Sequence, residues 1–168
     1  MAQVKAVPEG MHTLTPQLTI DGCDAAIEWY KRAFGAELRG RAPDPSGKKV
    51  WHAEMRIGDS VFFLNDAFPE MGGPAQPASL WLYADDIDGW WKRAVDAGAK
   101  VTMPLTDMFW GDRTGTVADP FGNRWNLAQR MKNMTQERGR NNAMPTSAIE
   151  TVEQVWPCLL YTSPSPRD

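Results

Sequence analysis

The sequence predicts an α+β fold built from two βαβββ modules, on three observations. A short motif occurs twice: WYKRA at residues 29–33 returns as WWKRA at 90–94, and each copy is followed by a Gly-Ala pair, Gly35-Ala36 and Gly98-Ala99. A segment of alternating character precedes each copy, at 13–20 and 79–84. A strand and then a hairpin follow each copy. A unit of about 60 residues present only twice is no solenoid, so the two halves must close on each other around a shared space.

The first strand alternates Thr13, Thr15, Gln17 and Thr19 against Leu14, Pro16, Leu18 and Ile20, and its polar set is expected to face a cavity. The helix behind it buries Ile27, Tyr30 and Phe34; its second copy buries Ile87, Trp91, Ala94 and Val95. Asp24 and Asp85 stand where N-caps are expected, and Gly35 and Gly98 where a left-handed residue ends each helix. In module one the hairpin WHAEMRI-GD-SVFFLN turns on Gly58-Asp59, a good two-residue turn. Its first strand sets Val50, His52, Glu54 and Arg56 on one face and Trp51, Ala53, Met55 and Ile57 on the other, the apolar set packing on the helices. Residues 65–78, dense in Pro and Gly, connect the halves. In module two Ser79, Trp81 and Tyr83 face inward on the first strand, as do Arg124 and Asn126 on the last. The hairpin between TGTVA and RWNLAQ turns on DPFGN, read as a plain turn. The domain is expected to span 11–131, with modules at about 11–66 and 79–131. Residues 132–168 form an expected disordered tail whose ending, CLLYTSPSPRD, resembles sequencing-adaptor read-through.

The 168 residues suffice for one domain with a surplus. With 18 basic and 21 acidic residues and no basic run, the chain lacks the footprint that a phosphate backbone requires, so nucleic acid is not the expected partner. No apolar run approaches the ~18 residues of a membrane span or forms a signal-peptide core, and the two cysteines, Cys23 and Cys158, make no framework. A cytoplasmic protein whose partner is a small molecule is the expectation.

The segments IEWYKRAFGAEL, HAEMRIGDS and FWGDRTGTVADPFGNRW, set in a paired βαβββ repeat, resemble the vicinal oxygen chelate (glyoxalase / bleomycin resistance protein / dioxygenase) superfamily, in its PhnB-like branch, over about 11–131. That resemblance implies modules curved into an open barrel and paired in a homodimer. Members are metal enzymes or drug-binding resistance proteins, with ligands on the first and last strand of each module. Carried over, those positions fall on Thr15, Ser79, Asn126 and either Phe62 or Phe63. Two hydroxyls, an amide and a phenyl ring make a poor divalent site, so no metal or other cofactor is expected.

Two readings of function stay open. In one, Thr15, Gln17, Ser79, Trp81, Tyr83, Arg124 and Asn126 line a pocket for a small aromatic or anionic compound that the protein sequesters or senses. The loop TDMFWGDRTG adds Phe109 and Trp110 for stacking and Arg113 for an anion, unless Asp112 and Arg113 simply tie the loop down. In the other, the protein is a lyase, isomerase or dioxygenase that uses His52 and Glu54 as base or as ligands of a displaced divalent metal, unless the His52–Arg56 face is merely solvated or ion-paired. No glycine-rich turn for a nucleotide-type cofactor occurs.

Overall fold

A computed structural model describes residues 5–133. Of the expected tail, 134–168 lie outside the described residues. The chain runs β1 (Gln17–Ile20), α1 (Cys23–Phe34), β2 (Glu37–Pro43), β3 (Val50–Ile57) and β4 (Ser60–Asp66). A 3-10 turn at Pro69–Met71 leads to β5 (Ser79–Tyr83), α2 (Ile87–Asp96), β6 (Lys100–Asp107), β7 (Asp112–Ala118) and β8 (Arg124–Arg130). Each module forms one four-stranded sheet, ordered β1-β4-β3-β2 and β5-β8-β7-β6. In both sheets the first strand pairs parallel with the last and the remaining pairs are antiparallel. The fold is thus the α+β pair of βαβββ modules that the repeat predicts.

The helices start differently from expectation. Asp24 lies inside the first turn of α1, where it holds Arg41 through two bonds of 2.7 and 2.8 Å. The free N–H groups at this end donate instead to a carboxylate from the far end of the module. Asp66 Oδ1 accepts from the backbone of Gly22 at 3.0 Å and Cys23 at 2.9 Å, and its Oδ2 from Val50 at 2.6 Å. In α2 the cap is Asp86, one residue past the expected Asp85, and it accepts from the Gly89 N–H at 3.0 Å. Both helix ends turn on left-handed glycines as expected, Gly35 at φ 61° and Gly98 at φ 95°.

Three strand and helix expectations shift. The first strand begins at Gln17 rather than Thr13, which leaves Leu14 83% exposed ahead of it. Trp51 is 46% exposed and Val50 is buried, because the β2–β3 pairing jumps between Ala42 opposite His52 and Pro43 opposite Val50, leaving Trp51 as the extra residue of a bulge. In α2, Trp90 rather than Val95 joins the core, its ring 6.2 Å from that of Phe34.

One core joins the modules. Seven residues of α1 are buried, including Tyr30 and Phe34, and the Phe34 ring lies 4.8 Å from Trp125 of β8. The DPFGN segment is more than a turn. Asp119 Oδ2 accepts from the Tyr30 hydroxyl of the other module at 2.6 Å and from Trp125 Nε1 at 3.0 Å, while Oδ1 accepts from the Phe121 and Asn123 backbones, each at 2.9 Å. A buried carboxylate accepting this many bonds is satisfied, so the lock stabilises the pairing of modules instead of costing desolvation.

Candidate functional site

Because each helix covers one face of its sheet, the alternate residues of every strand present an opposite, helix-free face. In module two Ser79, Trp81 and Tyr83 of β5 stand beside Arg124, Asn126 and Ala128 of β8, which in turn pair with β7. All five module-two strand residues expected at the site therefore share one face. There Asn126 accepts from Thr116 Oγ1 at 2.9 Å and donates to Ser79 Oγ at 3.3 Å and the Leu80 carbonyl at 3.1 Å.

Module one repeats this arrangement. Gln17 and Thr19 pair with Phe63 and Asn65, and Gln17 Nε2 donates to Asn65 Oδ1 at 2.8 Å. Asn65 opposite Thr19 thus bonds across to its neighbouring strand as Asn126, opposite Trp81, does. Thr15 precedes β1, its hydroxyl directed to the His12 carbonyl at 3.4 Å. Phe62 is buried in the core, and Phe63 pairs with Gln17 on the helix-free face.

On the same face of module one, His52 sets its ring edge-on to Phe63 with centroids 4.7 Å apart, and Glu54 is ion-paired with Arg39 at 3.1 Å. Among the described residues no bond joins His52 to Glu54. Arg56 pairs with Glu37 at 2.7 Å. In the β6–β7 loop Phe109 and Trp110 meet edge to face at 5.0 Å. Arg113 faces α2 instead, donating to Asp88 at 2.9–3.3 Å and to Asp107 at 2.9 Å, and these carboxylates push its pKa above the ordinary guanidinium value. Of the open readings of this loop, tying-down is the one its bonds display for Arg113.

A cleft of about 830 Å³ opens where the β3–β4 hairpin and the segment before β1 meet β5, the start of α2 and the end of β8. Trp81, Tyr83, Trp90 and Trp125 give it aromatic walls, with His12, Leu14 and Arg130 at its margin. Of the expected site residues, Trp81 and Tyr83 line it; His52, Glu54, Gln17, Ser79, Arg124, Asn126 and the β6–β7 loop do not. Sequence reading missed Arg130, and it weighed the buried Asp112 only as a tie for its own loop. Asp112, 2% exposed, accepts from the Tyr83 hydroxyl at 3.0 Å through Oδ2, while Oδ1 meets Arg130 Nε as an ion pair. The available signal was the alternation of Asp112, Thr114 and Thr116 along β7, set against Arg130, Ala128 and Asn126 of β8.

The sequence matches the profile of the Glyoxalase/Bleomycin resistance protein/Dioxygenase superfamily over residues 11–127. The chain belongs to that superfamily. An uncharacterized protein of Mycobacterium bovis is 40% identical to this superfamily member over 133 residues, covering 74% of this chain and 87% of the relative. Among solved structures, TnmS3, an antibiotic binding protein from Streptomyces sp. CB03234, is 25% identical with a TM-score of 0.56, over 76% of this chain and 99% of that one. A PhnB protein from Bacillus cereus, described as a putative 3-demethylubiquinone-9 3-methyltransferase, shares the fold at 20% identity and a TM-score of 0.58, over 70% of this chain and 99% of that one.

The positions that the family resemblance gives for a divalent metal are Thr15, Ser79, Asn126 and Phe62 or Phe63. Two hydroxyls, an amide that already donates to Ser79 at 3.3 Å and a phenyl ring do not fit a divalent ion, which takes imidazole, carboxylate or thiolate. Among the described residues no group of three His, Cys, Asp or Glu side chains stands together. Nor, among them, is any helix long and apolar enough to cross a membrane.

Proposed function

We propose that this superfamily member is a cytoplasmic small-molecule-binding protein that sequesters or senses a small aromatic compound without a metal. The observation that carries this reading is the aromatic-walled cleft between the modules. Flat aromatic walls bury a ring over both faces while adjacent polar groups set its orientation, the usual make-up of a small-molecule pocket. The likeness to an antibiotic binding protein supports binding of a small molecule. Pairing of two copies as a homodimer, which the family resemblance implies, belongs to the same reading.

The test is tryptophan fluorescence of the protein titrated with a panel of neutral and charged aromatic compounds, beside a Trp81→Ala variant. Saturable quenching that weakens at least about tenfold in the variant is the expected result. Metal content of protein incubated with manganese, iron, nickel and zinc, then desalted, decides the competing reading. Near-stoichiometric metal that disappears in a His52→Ala, Glu54→Ala variant would make the enzyme reading primary.

A further inference from the structure

Resting on the binding reading above, we infer that the cleft selects a positively charged, amine-bearing aromatic compound rather than an anion. Three carboxylates line the cleft, Asp59 at the β3–β4 turn and Asp85 and Asp86 between β5 and α2. Among the described residues that line it, Arg130 is the one permanent cation, and His12 and Tyr83 are the remaining titratable groups. The guanidinium of Arg130 already serves another charge. Its partner, Asp112, is buried, and Asp112 Oδ1 has no hydrogen-bond partner among the described residues apart from that ion contact. Drawing Arg130 away to receive a ligand anion would strand a carboxylate in the interior, which is strongly unfavourable.

None of the three lining carboxylates is ion-paired among the described residues. Asp59 accepts from the Ser60 hydroxyl at 2.9 Å, and Asp86 accepts from the Gly89 backbone. No bond to Asp85 occurs among the described residues. The unpaired charges that line the cleft are therefore carboxylates, exposed at its margin, where salt weakens their attraction for a cation. Indole and phenol faces attract a cation through their quadrupoles, so Trp81 and Tyr83, the exposed rings of the cleft, favour the same charge as the carboxylates do. The anion expected from the sequence relied on Arg113, which does not line the cleft and is occupied by Asp88 and Asp107.

Three ligands of one shape and different charge test this: naphthylmethylammonium, naphthalenemethanol and naphthaleneacetate, each titrated against the full chain by tryptophan fluorescence at low and high salt. The expected result is that the ammonium binds about tenfold or more tighter than the carboxylate, with an advantage that shrinks as salt rises. An Asp59→Asn, Asp85→Asn variant, which spares the α2 cap, narrows the gap while leaving the neutral alcohol unchanged. Equal binding of all three overturns the charge inference and leaves aromatic binding standing, as does tighter binding of the carboxylate. Failure of all three to bind overturns both.

Discussion

Asp119 shows how one side chain at a turn can hold two modules together. Its carboxylate gathers the Tyr30 hydroxyl, the Trp125 indole and two backbone N–H groups inside the core. Replacing Tyr30 by Phe removes one of these donors and the bond that spans the modules. A hydrogen bond to a charged group contributes about 1.5–3 kcal/mol, so Tyr30→Phe is expected to lower unfolding stability by about that amount in urea titration. The same burial, together with Asp119, raises the ionisation of the Tyr30 hydroxyl above its ordinary value. Cys23 behaves alike: burial and then the nearby Asp66 carboxylate raise its thiol from 9.0 to about 12. Unfolded, the thiol loses its proton near 9.0; folded, it keeps it until about 12, so the native state holds more protons between those values. Stability is thus full below 9.0 and is lost as pH rises toward 12. Urea midpoints measured from neutral pH up to alkaline pH are expected to fall through this window, and to fall less steeply for Cys23→Ala.

Among the elements, β7 and α2 depend on a position with no side chain. A Cβ on Gly115 would stand 2.5 Å from the Trp91 ring and 2.9 Å from the backbone of Leu105, so both neighbours would have to move. Gly115→Ala is expected to cost about 1–3 kcal/mol, the usual range for overpacking, and to lower the thermal midpoint. The α2 start gives a smaller effect. Asp86→Ala removes the side-chain acceptor of the Gly89 N–H and is expected to cost about 1 kcal/mol by chemical denaturation. It also removes one carboxylate from the cleft margin, so ligand titrations on this variant read cap and charge together.

For the whole molecule, the decisive fact is that the hydrophobic core belongs to neither module alone. Phe34 and Tyr30 of α1 pack against Trp125 of β8 and Trp90 of α2, and Trp29 Nε1 donates to the Ala97 carbonyl at 2.8 Å. Each module expressed by itself, cut within residues 67–78, is expected to show little fixed tertiary structure in near-ultraviolet circular dichroism and to regain it when the two are mixed. Two independently folded modules would give native spectra apart, the opposite outcome.

The sequence by itself determined the repeat, the element order, both hairpin turns and the glycine helix ends, because each rests on local chemistry: spacing of apolar residues, a turn that needs a left-handed residue, and strand alternation. It also placed Ser79, Trp81, Tyr83, Arg124 and Asn126 on one face, since period-two alternation is a local property. Tertiary structure decided the rest. Asp66 and Asp119 serve N–H and O–H groups that are distant in sequence, and no local pattern marks a carboxylate as their acceptor. The bulge at Trp51 depends on what β2 offers opposite it. The cleft needed the packing of module one against β5 to bring Trp90, Trp125 and Arg130 to Trp81, and its charge became readable only once Arg130 was seen paired with the buried Asp112.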